Sequence, residues 1–140
     1  MQQEKDYLQR EIQKLTLFLT KLISKISGSH FDDVENDLQQ TDQEFQKNFG
    51  FSLFELMDLP NQKILDKLKD INQTHLEKIT ELLFESVKKA KETDKNLGID
   101  IKTFSEKTIF LLEHLDNISG TYSIDRMNKK NVLQSSRRLS

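Results

Sequence analysis

The chain contains no cysteine. That single absence excludes disulfide frameworks, thiol catalysis and cysteine-ligated zinc together, and it suits a reducing compartment. Only four glycines and one proline occur in 140 residues, too few for the tight turns of a sheet-rich domain. Long apolar runs are missing too. The longest near the start, Leu15 to Ile26, is cut by Thr16, Thr20, Lys21, Ser24 and Lys25, so it is too short and too polar to span a bilayer. Met1 to Lys14 is charged throughout, and no signal peptide is expected there. Gln2 in place of glycine removes N-myristoylation. These features together predict a soluble, cytoplasmic protein with no membrane partner.

What is present suits one helical domain. A chain of this length can bury roughly 70% of its unfolded surface without a disulfide or a metal. Leu, Ile, Lys, Glu, Gln and Asp dominate, as a solvated helical protein requires. The net charge of −2 conceals an asymmetry. Residues 1–28 carry +2, residues 29–59 carry −7, residues 60–98 carry +1 and residues 99–140 carry +2. Beyond Asp125 there is no acid, while Arg126, Lys129, Lys130, Arg137 and Arg138 are basic.

Periodicity gives the elements. Leu8, Ile12, Leu15, Leu19, Leu22 and Ile26 repeat at alternating steps of four and three, one narrow helical stripe. Gly28 is the expected stop in the left-handed cap conformation. Phe31, Val34, Leu38, Thr41, Phe45 and Phe49 predict a second helix, capped by Ser29 and Asp32 and ended by Gly50. Ser52 and Glu55 have capping-box spacing for a short helix that Pro60 ends. Asn61 is placed as the cap of the next helix, with Ile64, Leu65, Leu68 and Ile71 inward. Thr74 and Glu77 suggest another capping box, before a stripe of Leu76, Ile79, Leu83, Val87, Ala90 and Leu97 closed by Gly98. A further helix starts at Asp100 or Thr103, buries Phe104, Thr108, Leu111, Leu115 and Ile118, and stops at Gly120. Ser123 caps the last helix, with Tyr122 and Met127 at its staple positions. The fold class is therefore all-α: five to six amphipathic helices packed as antiparallel helical hairpins. Residues 1–134 form one domain, and 135–140 are expected as a flexible C-terminal tail.

Tests for chemistry return little. Asp33, Glu35, Asp37 and Glu44 fall at positions 1, 3, 5 and 12 of a calcium-loop template, but Leu38 stands where the loop needs glycine. None of His30, His75 and His114 has a glutamate three residues before it, as a bundle di-iron site requires. His75 and His114 are expected at or near the surface. Glu113 and Asp116 match half of the signature of helical nucleotide pyrophosphatases, and the other half is missing. No Gly-rich phosphate loop or serine elbow occurs. No catalytic residue, cofactor or metal is assigned. The basic C-terminal segment is read as a solvated helix end, and nucleic acid is not expected as a partner.

Two candidate contact surfaces remain. Leu17 lies about 180° from the centre of the first helix's stripe, while Tyr7 and Phe18 widen the stripe along one edge. A helix apolar on more than one side calls for a second cover, which a protein partner, a homodimer through this helix or burial among the domain's other helices would supply. The other surface is Phe45, Phe49, Phe51, Phe54 and Met57, either a corner of the core or a groove.

Residues Asp6-Tyr7-Leu8-Gln9-Arg10-Glu11-Ile12-Gln13-Lys14-Leu15 resemble the opening of a family of small bacterial proteins that begin with Asp-Tyr-x-x-Arg-x-Ile-x-x-Leu. Tyr122-Ser123-Ile124-Asp125-Arg126 is similar to a second short pattern of that family. The resemblance implies an all-helical fold of paired helices, a bundle or short tetratricopeptide-like array, and it carries no activity. The leading expectation is a non-enzymatic protein–protein interaction or scaffold module. One alternative is a small-ligand or metal-dependent enzyme on the acidic helix 31–48. Another is a weak nucleic-acid-binding regulator acting through the basic tail.

Overall fold

A computed structural model describes residues 2–93 and 97–139. Among them no strand occurs, and seven α-helices pack against one another: α1 (Gln2–Ser27), α2 (Val34–Phe49), α3 (Leu53–Leu56), α4 (Asn61–Leu68), α5 (Gln73–Glu92), α6 (Ile101–Ser119) and α7 (Ile124–Leu139). A 3-10 turn, Phe31–Asp33, leads into α2. There are seven helices rather than five or six because the single turn α3 is a helix in its own right and the last helix, α7, is long enough to stand as one.

α5 is the axis of the fold. Its buried residues include His75, Leu76, Ile79, Thr80, Leu82, Leu83, Phe84, Ser86, Val87 and Ala90. Such a helix buries more than half of its circumference, with Glu77, Lys78, Glu81, Glu85, Lys88 and Lys89 along the remaining strip, and is covered on several sides. α1 makes the most extensive packing with it. Ile12 meets His75 near the start of α5, and the carbonyl of Ser29 meets Lys89 near its end, so the two helices run parallel. α2 turns back along α1, with Lys25 on Gln40 and Ser29 on Asp37. Arg126 of α7 joins Glu77 at the start of α5 to Asp116 at the end of α6. α6 is therefore antiparallel to α5, and α7 runs parallel to it.

The caps show which local signals hold. Gly50 (φ 84°) and Gly120 (φ 69°) adopt the left-handed conformation, and their N–H groups bond back to Gln46 and Asp116. Gly28 does not, contrary to expectation; a Cβ there would meet the Ser24 carbonyl at 3.2 Å, so its lack of side chain serves a close approach. Ser52 caps α3 as expected, but it also donates to Asp42 Oδ2 at 2.5 Å. Asp42 Oδ1 in turn accepts from the N–H groups of Leu53 (2.7 Å) and Phe54 (3.3 Å). One α2 carboxylate thereby satisfies the donors at the start of α3 and pins the connector. Asp100 caps α6 through Lys102 and Thr103. Its hydrogen bonds from Thr103 hold its carboxyl below the usual value.

Other local assignments change. Asn61 does not cap α4; its oxygen accepts from Lys107 at 2.9 Å. Asn72, not Thr74, caps α5. Ser29 reaches Asp37 instead of closing a cap with Asp32. α5 stops at Glu92, with Thr93 as its C-cap, before Leu97 and Gly98. The intervening residues 94–96, like Met1 and Ser140, lie outside the described residues. α7 runs from Ile124 to Leu139. Phe31 and Ile118, read as inward, are exposed.

Phe45 is fully buried among these helices, whereas Tyr122 is 94% exposed. Phe45→Ala is expected to cost about 3–5 kcal/mol, and Tyr122→Ala less than about 0.5 kcal/mol. Urea titrations of the two variants measure both values.

Candidate interaction surface

The stripe on α1 is one continuous row whose two halves have different surroundings. Leu19, Leu22 and Ile26 are buried, Leu15 and Ile12 are half-buried, and Leu8 is 60% exposed. The transition falls where α5 begins. His75, only 5% exposed, places its Nε2 2.9 Å from the Ile12 carbonyl. A carbonyl can only accept, so Nε2 carries the hydrogen. The same carbonyl takes the Thr16 hydroxyl at 2.8 Å. His75 is thus a buried anchor and not the surface residue expected from its sequence context. N-terminal to Ile12, α1 projects past the start of α5 by roughly 10–15 Å at 1.5 Å per residue. Every residue from Glu4 to Arg10 is exposed.

These two to three projecting turns carry Tyr7 (62% exposed) beside Leu8. Their charges are mixed: Glu4, Asp6 and Glu11 against Lys5 and Arg10. Contact with another surface therefore meets no one-signed barrier. Leu17 is 61% exposed on the outer side, as its helical angle requires, while Phe18 is half-buried against the core. Ile124 and Met127 on α7 are also exposed. Because Arg126 sits against the first turn of α5, these residues and Tyr122 lie at the same end of the bundle as the projecting part of α1.

The phenylalanine cluster divides differently. Phe45 stacks on Phe49 at 4.4 Å between ring centroids and meets Phe51 edge-on at 5.5 Å. Phe54 packs on Phe104 at 5.5 Å. Phe49, Phe51 and Phe54 are half-buried, but Met57 is fully buried. Met57 therefore leaves the candidate surface, because its side chain completes the core beneath α3.

The charged segments are distributed rather than convergent. Asp33, Glu35, Asp37 and Glu44 belong to a helix entry and a helix, with Asp37 held by Ser29 at 2.6 Å. Among the described residues no three histidines or carboxylates gather as a metal site. Three of the five basic residues near the C-terminus are engaged internally. Lys129 pairs with Asp125 at 2.7 Å and lies over the Phe84 ring, and Lys130 reaches Asp116 Oδ2 at 2.8 Å. Arg126, 6% exposed, donates from Nε to Asp116 Oδ1 (2.7 Å), from one terminal nitrogen to Glu77, and from the other to Ser119 Oγ and the Thr121 carbonyl (3.1 Å each). The side chains of Arg137 and Arg138 lie outside the described residues. Burial alone would raise the Asp116 carboxyl, but hydrogen bonds and charge from Lys130 and Arg126 outweigh it and hold the group below its ordinary value.

No protein-family model, curated protein or solved structure matches the chain.

The Arg126 network generates a stability prediction. Arg126→Ala leaves Asp116 buried with Lys130 as its remaining partner and is expected to cost about 3 kcal/mol. Since the Asp116 carboxyl is depressed in the fold, the unfolded chain binds its proton first as pH falls. The network's contribution is full above the ordinary carboxylate range and is lost on acidification below about pH 4. Asp116→Asn is expected to be less stable at neutral pH, with a shallower acid slope. Urea midpoints between pH 6 and 3 test the sign.

Proposed function

We propose that the chain is a non-enzymatic protein–protein interaction module, working in the cytoplasm without a cofactor, whose contact surface is the projecting half of α1. One observation carries this: the stripe that α5 covers at Leu19, Leu22 and Ile26 continues uncovered at Leu8, with exposed Tyr7 beside it. An isolated helix of this length is marginal in water, and an apolar face left uncovered on a projecting helix marks a place for a partner. A second copy of the chain is the simplest occupant, since a two-fold axis brings the same neutral, apolar patch to both sides.

As a scaffold, the chain fits an α5-centred bundle better than a short tetratricopeptide-like array. The hairpin directions of α1 with α2, α5 with α6 and α6 with α7 support paired helices. The parallel packing of α1 on the distant α5 departs from an array, in which each unit meets only its neighbours. Membership of the bacterial family with the Asp-Tyr-x-x-Arg opening is part of the same proposal. Its two patterns fall on the projecting turns of α1 and on Ser123 and Arg126, which cap and anchor α7.

Light scattering tests the proposal. The wild-type chain is expected above its monomer mass of 16.5 kDa, and Leu8→Glu at that mass with an unchanged melting temperature. Leu17→Glu, on the opposite face, is expected to leave both unaltered. A wild type that stays monomeric at about 0.1 mM, which bounds any affinity as weaker than roughly −5 kcal/mol, removes the homodimer.

A further inference from the structure

α4 is short, and its buried residues are only Ile64 and Leu68. It stands as a wall between two hollows, one bordered by Leu59, Lys63 and Lys67, the other on the α6 side. The second is a half-open cleft of about 360 Å³, floored by Leu65, Leu68, Leu76 and Ile118. Leu68 and Leu76 are buried beneath it, but Ile118 remains 48% exposed. The domain has thus left apolar surface uncovered inside a concave site.

Three polar side chains border this cleft: Asp66, Lys69 and His114. Asp66 accepts a hydrogen bond from the Gln62 amide at 3.3 Å. His114 and Lys69 make no hydrogen bond or ion pair with any described residue. The cleft therefore offers an imidazole and an ammonium without acceptors, above an apolar floor. A concave apolar site with a few polar groups at its edge is the usual form of a small-molecule site, and this volume falls at the small end of that class.

We propose that this cleft binds a small carboxylate with an apolar body. A volume equal to about twelve waters of liquid holds a molecule of roughly ten heavy atoms. Its alkyl or aryl part displaces water from Leu65, Leu68, Leu76 and Ile118. Its carboxylate accepts from His114 and is drawn by the charge of Lys69. A neutral alcohol of the same shape offers a single uncharged acceptor and no charge attraction to Lys69, and an amine, although drawn by Asp66, meets the Lys69 charge and brings no acceptor for the two donors as an ammonium. A ligand this small binds with a Kd on the order of 0.1–1 mM.

Sodium octanoate, n-octanol and octylamine, titrated into the full chain at constant pH and salt, test the proposal. Proton NMR reads the His114 imidazole, and calorimetry reads the affinity. Octanoate is expected to move the His114 resonance saturably and to bind at least about fivefold more tightly than either analogue. His114→Ala with Lys69→Ala is expected to weaken octanoate about tenfold or more. Lys63→Ala with Lys67→Ala, across α4, is expected to leave it unchanged. The wild-type NMR titration needs no variant, so the proposal stays testable if the double substitution impairs folding. No saturable shift of His114 up to about 10 mM octanoate overturns it, as does tighter binding of octylamine or undiminished binding by the folded His114/Lys69 variant.

Discussion

The arrangement depends on one constraint: α5 buries more than half of its circumference and must be enclosed by several neighbours. Its buried set runs from His75 to Ala90, with Leu76, Leu82, Phe84 and Ser86 as well as the amphipathic row of Ile79, Leu83 and Val87. No single neighbour can cover such a helix, so α1, α6 and α7 each take a side, while α2 with α3 closes the remaining edge of the core. The ranking of effects follows. Full burial of a large apolar side chain stabilises by about 1.5–3 kcal/mol, whereas an exposed ion pair such as Lys14 with Glu11 contributes about 0–1 kcal/mol. Packing on α5 therefore sets the fold, and surface charge adjusts it.

Polar interactions do matter where they replace packing. α7 buries little apolar surface; among its described side chains Leu133 is the fully buried hydrophobe. Arg126 fixes its first turn instead, linking α5 and α6 through Glu77 and Asp116. At the other corner, Asp42 satisfies the start of α3 and turns the chain away from α2. These two sites lie far from each other in sequence and solve the same problem: a short or polar element held by directed hydrogen bonds because its hydrophobic contribution is small.

Signals confined to a few residues were legible in the sequence. The α1 stripe, the Ser52, Asp100 and Ser123 caps, and the left-handed Gly50 and Gly120 all rest on spacings of one helical turn, which the chain carries in itself. Features that failed to appear depend on a distant partner. Leu8 and Leu22 occupy equivalent stripe positions, and only the start of α5 opposite Ile12 decides which is covered. Arg126 reads as part of a solvated basic helix end until Asp116, 10 residues away, and Glu77, 49 residues away, surround it. Asn61 has the identity of a cap, but Lys107 of α6 takes its oxygen. Met57 belongs by sequence to the same aromatic cluster as Phe49 and Phe51, and only the three-dimensional packing separates core from edge.

The central claim is that α1 is a single helix with a domain half and a free half, divided at the His75 contact. Amide hydrogen exchange on dilute, verified monomer tests it residue by residue. Helix segments without tertiary cover open with little free energy, whereas core helices open only with the whole domain. The amides of residues 19–26 and of the centre of α5 are therefore expected to exchange at the slow rate set by global unfolding. Those of residues 5–11 are expected to exchange faster by several orders of magnitude. Uniform protection along all of α1 in the monomer would contradict the account, because it would mean that the domain itself covers the stripe at Leu8.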